Sequence, residues 1–369
     1  MTCPTPSLHR IARLLLCGLV AAPALWAQAL TDGPYVFHAG THSEARWICA
    51  GELKAAPIDA SGRIAALCGD LPTLTLEKSP ALAPDSLPQA PRWAALSDVH
   101  GQADLMLRLL RAQGIVDEKD RWLWGNGVLV VVGDTLDRGP QQIEALWTIY
   151  RLAQEAASAG GRVELLLGNH EVMVLAGDLR YLHERYLAVA KLLGRSYDQL
   201  FAADSELGAW LRRRATVLKL GDTLFVHAGL HPQFADHSID LAAINTRFRA
   251  GLGDSRETLS QDPQDDWLLG TDGPTWYRGY FVSERATLEQ IEKLLAQAKV
   301  SRIVVGHTTM TQIVSLYQGR VIGVDAGIKN GQTGELLIFD KAQLWRGLLD
   351  GDRLSLPSGD DLGPQPPAR

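Results

Sequence analysis

Six short apolar runs, each broken by polar residues at its carboxyl end, constrain the fold of this chain most: WAALSDVHG, VLVVVGDTLDRG, VELLLGNHE, TLFVHAGL, RIVVGHT and GRVIGVDAG. Apolar runs of this length, bounded by turn residues, read as buried strands. Helix-period stretches lie between them. In QADLMLRLLRAQG, Leu105, Leu109 and Ala112 fall on one side, with Met106 and Leu110 beside them. QQIEALWTIYRLAQEAA reads likewise. Strands alternating with helices predict an α/β (α+β layered) domain. Ligand sites in such folds lie outside the carboxyl ends of the strands.

Five of the predicted strand ends carry chemistry: Asp98 with His100; Asp134, Asp137 and Arg138; Asn169 with His170; His227; His307. Taken singly, each has a bland reading. An aspartate after a strand caps a turn or a helix, and a lone histidine is a structural residue. Together they are carboxylate, imidazole and amide groups that would be badly desolvated without a cation. The set contains no cysteine, so it suits manganese, iron or zinc. Six oxygen and nitrogen donors exceed one tetrahedral site. Two ions sharing a bridging aspartate fit them better, the usual device for displacement at phosphorus.

SDVHG, GDTLDRG, GNHE, HAGL and GHT, in this order, resemble the calcineurin-like metallophosphoesterases, and more narrowly the phosphoprotein phosphatase family. GPTWYRGY (Gly273 to Tyr280) together with SDVHG is most similar to the Shewanella-like protein phosphatases, which include phosphotyrosine-directed members. Ser97 stands where the wider family has glycine, and LLLGNHE lacks the arginine-glycine lead-in of eukaryotic serine/threonine phosphatases. The resemblance implies the metallophosphoesterase fold: a central β-sandwich flanked by helices, with a dimetal site at the strand C-terminal ends. It implies that Asp98, His100 and Asp134 hold one ion. Asp134, Asn169, His227 and His307 would hold the other, with Asp134 bridging. It makes His170 the general acid, oriented by Asp137, and Arg138, Arg278 and Asn169 the phosphate-binding residues. The implied reaction is hydrolysis of a phosphate monoester, phosphotyrosine or another phosphoprotein included, by direct attack of metal-bound hydroxide. A phosphodiesterase or nucleotide hydrolase on the same scaffold is the alternative. A non-enzymatic binding protein would have lost ligands, and none is missing.

Residues 1–29 read as a signal peptide. MTCPTPSLHRIAR is basic without an acid, LLLCGLVAAPALW is too short to span a bilayer comfortably, and Ala27 to Ala29 form a small-x-small cleavage site. Leu16 before Cys17 is not small, which argues against lipidation. The expected location is periplasmic or secreted, with no stable membrane span after cleavage. Cys49 and Cys68 then remain as a candidate disulfide, although a hairpin turning at DASG would not bring them opposite each other. The net charge of −6 offers no general attraction for nucleic acid, and Arg212-Arg213-Arg214 is expected to be a solvated helix end. The organisation expected from sequence has four parts. Residues 30–90 form an N-terminal β-hairpin extension ending in the four-proline linker of residues 78–91. Residues 91–345 form the catalytic domain, 346–369 a disordered tail, and helices after Glu171 help shape the substrate cleft.

Overall fold

A computed structural model describes residues 1, 30–40, 42–69, 73–78, 80–236, 240–282 and 285–356. Residues 2–29 of the expected signal peptide and the last part of the expected tail lie outside the described residues. The chain opens with an antiparallel meander, β1 (Asp32–Ala39), β2 (His42–Cys49) and β3 (Glu52–Pro57), followed by the short pair β4 (Arg63–Ile64) and β5 (Leu74–Thr75). Next come β6 (Ser86–Leu87), β7 (Arg92–Leu96), β8 (Val128–Val131), β9 (Arg162–Leu165), β10 (Val217–Leu220) and β11 (Thr223–Val226). The remaining strands are β12 (Arg302–Val305), β13 (Val314–Leu316), β14 (Val321–Gly323), β15 (Leu336–Asp340), β16 (Gln343–Gly347) and β17 (Arg353–Ser355).

Two six-stranded sheets, ordered β13-β14-β12-β11-β10-β6 and β17-β16-β15-β7-β8-β9, make the central sandwich. Strands β7, β8 and β9 run parallel in one, and β11, β12 and β14 run parallel in the other. Successive side chains of a strand point to opposite faces, and each strand here is buried on both. Trp93 and Ala95 of β7, Val130 of β8, Phe225 of β11 and Val304 of β12 share the core between the sheets. Trp93 stacks on Phe339 at 5.4 Å and meets Phe225 edge-on at 5.1 Å. The alternate residues Ala94, Leu96, Leu129 and Val131 face the helices Ala103–Ala112 and Gln142–Ser158. Leu224, Val226, Ile303 and Val305 face Leu241–Ala250 and Leu288–Ala298 on the far side. This double burial is why the strands read as unbroken apolar runs rather than alternating ones.

Five expectations need correction. The hairpin expected to turn at DASG turns instead at Ala50-Gly51, between β2 and β3. The segment after β3 then returns Cys68 to Cys49, and the two form a disulfide with Cα atoms 5.8 Å apart. Nor is the N-terminal region a separate extension. Tyr35, Phe37 and Trp47 pack into the same core as the helix Gln142–Ser158, and Trp147 Nε1 donates to the Pro34 carbonyl at 2.8 Å. The proline-rich segment contains β6, which pairs with β10 at the sheet edge. Its prolines flank the two paired residues, where no ladder hydrogen bond is lost. The chain from 346 to 355 is also ordered, because β16 and β17 extend the second sheet. Finally, the three consecutive arginines are not a solvated end. Arg214 is buried within 3.8 Å of Glu164, and Arg212 Nη1 donates to the Phe201 carbonyl at 2.5 Å.

Candidate metal centre

The carboxyl ends of β7, β8 and β9 in one sheet and of β11 and β12 in the other meet at one edge of the sandwich. Two glycines let them approach. A Cβ on Gly168 would lie 2.1 Å from Asp134 Oδ1, and one on Gly133 would lie 2.7 Å from both Gly168 N and His227 Nδ1. The loops that follow are held in left-handed backbone at non-glycine residues: Asp98 (φ 55), His100 (φ 44), Asp134 (φ 57), Asp137 (φ 66), Arg138 (φ 66) and His307 (φ 63). Backbone of this kind is disfavoured for residues with a Cβ and persists only where surrounding contacts hold it, typically at functional sites.

Glu171 supplies many of those contacts. Its Oε1 accepts from Thr135 N (2.7 Å) and Leu136 N (3.1 Å), and its Oε2 from Asp134 N (2.9 Å) and Gly168 N (2.9 Å). The carboxylate thus caps its own helix, Asn169–Leu175, and grips the neighbouring Asp134 loop. Ser97 Oγ donates to Asp98 Oδ2 at 2.5 Å, with the Val132 carbonyl oxygen 3.0 Å away. Asp98 Oδ2 also accepts from His307 N at 2.9 Å, tying the two sheets together.

Asp134 stands at the centre. Its Oδ2 lies 3.5 Å from His100 Nε2, 3.3 Å from His227 Nε2 and 3.9 Å from His170 Nε2. The Nδ1 atoms of His100 and His227 are both taken by carbonyls, of Leu136 and Val132 at 2.7 Å each, which turns their Nε2 atoms inward. Asn169 Oδ1 is 3.1 Å from His227 Nε2. Buried His307 Nε2 has no hydrogen-bond partner. Two groups of potential ligand atoms result, His100–Asp134–His170 and Asp134–His227–His307, each with its atoms within 4.8 Å of one another and both containing Asp134. Burial pulls the His100 imidazole down to about 3. Burial also lowers His227, but the Asp134 carboxylate more than reverses this and carries it up to about 9. His307 is pushed well below the usual histidine range by burial and by the charge on His227. With Asp98 Oδ1 3.8 Å from His100 Nε2 as a further donor beside the first group, the donor set fits two cations sharing Asp134, and cation binding would displace the proton from His227.

Membership of His170 in the first group is a matter of proximity. Its Nδ1 bonds Asp137 Oδ2 at 2.6 Å. Burial opposes its protonation, yet the Asp134 charge and the Asp137 hydrogen bond raise it above the usual histidine range. A ligand must be neutral at its donor nitrogen, whereas this pairing favours imidazolium.

The cleft above these groups, about 100 Å3, is lined by Asp98, His100, Asp134, Arg138, Asn169, His170, Arg278 and His307 among the expected residues. Asp137 and His227 lie beneath it, fully buried. Arg278 Nη1 donates to the His307 carbonyl at 2.9 Å and to Thr308 Oγ1 at 3.3 Å, which fixes its guanidinium at the rim. All the predicted site residues are thus brought together. Tyr181, Trp276 and Lys329 complete the lining, and no role was read for them from sequence. Lys329 bonds Thr309 Oγ1 and lies 4.0 Å from Asp325. Tyr181 comes from the segment joining the helices Asn169–Leu175 and Arg185–Leu193, so the region after Glu171 does border the cleft. Glu171 was the one overlooked residue with a readable signal, a glutamate three places after a helix-capping glycine.

The sequence profile of the calcineurin-like phosphoesterases matches residues 91–309. An uncharacterised protein of Schizosaccharomyces pombe is 32% identical over 68% of this chain and 76% of its own length. Shewanella-like protein phosphatase 2 of Arabidopsis thaliana is 24% identical over 65% of this chain and 72% of its own. A symmetrical bis(5'-nucleosyl)-tetraphosphatase of Methylococcus capsulatus is 33% identical over 52% of this chain and 63% of its own. Among solved structures, the cold-active protein-tyrosine phosphatase of a psychrophilic Shewanella superposes with a TM-score of 0.85 at 42% identity, covering 89% of this chain and all of that one. The shared sheets and the ordered motifs on their strand ends agree with these likenesses: the chain belongs to the calcineurin-like phosphoesterase family and is a metal-dependent phosphatase of the Shewanella-like type.

Proposed function

We propose that the chain is an exported dimetal phosphomonoesterase acting on aryl phosphates, phosphotyrosine among them. The observation that carries the reading is the His170–Asp137 pair, 2.6 Å apart, beside a cleft rimmed by Arg138 and Arg278. Asp98, His100 and Asp134 would hold one ion, and Asp134, Asn169, His227 and His307 the other. When bound, such a pair supplies an activated water and positive charge beside the phosphate oxygens. Arg138 and Arg278 bind the non-bridging oxygens, which planar guanidinium groups match in pairs. His170 gives its Nε2 proton to the ester oxygen as the P–O bond breaks, and Asp137 stabilises the imidazolium beforehand. The products are the alcohol or phenol and inorganic phosphate. Donors without thiolate suit manganese, iron or zinc.

The protein-tyrosine phosphatase likeness supports the aryl monoester. The tetraphosphatase likeness, with Lys329 as a third cation at the cleft, supports a nucleotide hydrolase as the second reading. A panel of phenyl phosphate, a phosphotyrosine peptide, glycerol phosphate, a bis-aryl phosphodiester and diadenosine tetraphosphate separates them. Faster turnover of the diester or the dinucleotide would replace the first reading by the second. His170→Asn should keep the metals and lose rate chiefly on glycerol phosphate, whose alkoxide needs a proton far more than a phenolate does. Equal losses on both esters would remove His170 as the acid.

The Cys49–Cys68 bond supports an oxidising compartment. Among the described residues no helix is long and apolar enough to cross a membrane. N-terminal sequencing of the mature protein should begin near Leu30, and a start at Met1 would contradict export by cleavage.

A further inference from the structure

The side of the cleft that receives the leaving group is fixed by the acid. Whatever is attached to the ester oxygen must lie next to the group that protonates that oxygen, and His170 is that group in the reading above. The ring beside His170 is Tyr181, with centroids 5.1 Å apart at an interplanar angle of 51°. Tyr181 is 40% exposed and borders the same cleft, unlike the aromatic rings of the core. Its position is tied to the phosphate-binding side. The Tyr181 carbonyl accepts from Arg138 N at 3.0 Å, and the Arg138 guanidinium sits 4.9 Å from the Tyr181 ring centroid. The Arg180 guanidinium also lies 5.9 Å from the Tyr181 centroid, yet the side chain stays 40% exposed and stands at a set place between the acid and Arg138, in a cleft otherwise lined by Trp276 and mostly by charged and amide groups.

We propose that Tyr181 selects aryl over alkyl esters, its ring forming the seat for the leaving group. The proposal rests on the phosphatase reading and adds to it the residue that sets leaving-group preference. Ring–ring contact favours an aryl group over an alkyl chain through offset or edge-to-face packing. Tyr181 acts on binding and not on the proton transfer, so it is a specificity residue.

The test uses the manganese-loaded full chain and two non-hydrolysable probes, phenylphosphonate and methylphosphonate, with dissociation constants measured by calorimetry. The parent chain and Tyr181→Phe should bind phenylphosphonate about tenfold more tightly than methylphosphonate, a difference of about 1.4 kcal/mol. Tyr181→Leu should shrink that ratio to about twofold and leave methylphosphonate binding unchanged. An unchanged ratio in Tyr181→Leu overturns the proposal. So does equal weakening of both probes, which would mean that the substitution acts by displacing Arg138. Turnover of phenyl phosphate by the parent chain is measured alongside: its absence removes the phosphatase reading, whereas an unchanged ratio with turnover intact removes only the role of Tyr181.

Discussion

Glu171→Gln tests whether a carboxylate that lies outside the ligand set holds the ligand loop in place. Glu171 accepts four backbone N–H bonds, two on each oxygen, from Asp134, Thr135, Leu136 and Gly168. Glutamine has nearly the same shape, but one of its terminal groups is a donor that would face two donors. Two charge-assisted bonds are lost, each worth ~1.5–3 kcal/mol. Removing a buried charge returns part of that, so the net loss should be roughly 3 kcal/mol. Two further features make the loop sensitive. Asp134, Asp137 and Arg138 are all in left-handed backbone, each disfavoured by ~1–3 kcal/mol without external support. The same loop carries the proposed bridging ligand and the orienter of His170. Urea unfolding of the metal-free chain should show a lower midpoint with an unchanged slope, and titration should show weaker manganese binding. A variant with the parent midpoint and the parent metal affinity would refute the reasoning.

Glu144 lies in the first turn of the helix Gln142–Ser158, with Oε2 buried and without a hydrogen-bond partner. Burial, then the neighbouring Asp32 charge, pushes its carboxyl up to about 7. The folded chain therefore binds a proton that the unfolded chain has released, and stability falls as pH rises from about 4.5 to about 7. Glu144→Gln should flatten that slope and raise stability at pH 8 by at most about 3 kcal/mol, read from urea midpoints across pH; an unaltered slope would remove the assignment. The Cys49–Cys68 bond closes a loop with a sequence separation of 19. Replacing both cysteines by serine should lower stability by ~3 kcal/mol, and the denatured, unreduced parent chain should show neither Cys49 nor Cys68 as a free thiol. Two titratable thiols from that pair would contradict the bond.

The catalytic domain was legible because its strands are short, doubly buried and end in residues that have no business in a core unless they serve a site. Asp98, Asp134, His227 and His307 stand out against Val, Leu and Ile, and the order of their motifs identified the family. The N-terminal region was less legible because its pairings are non-local. The β2–β3 turn uses Ala50-Gly51, a weaker signal than DASG, and nothing local says that Trp47 will pack with the helix carrying Trp147. The β6 segment is two residues among four prolines, and it pairs only because the β10 edge is there to receive it. Arg214 reads as surface charge until Glu164 is brought beside it. Tyr181 belongs to a segment without strand or helix periodicity, and its place at the cleft follows from the carbonyl that Arg138 N reaches.

The central claim is that two metal ions share Asp134. Metal analysis of the purified chain and of Asp134→Asn, set beside phenyl phosphate turnover, tests it most directly. The parent chain should carry two ions, and Asp134→Asn at most one, with turnover lower by at least about 10³-fold, equivalent to ~4 kcal/mol in the barrier. An Asp134→Asn chain that keeps two ions and near-parent turnover would contradict it.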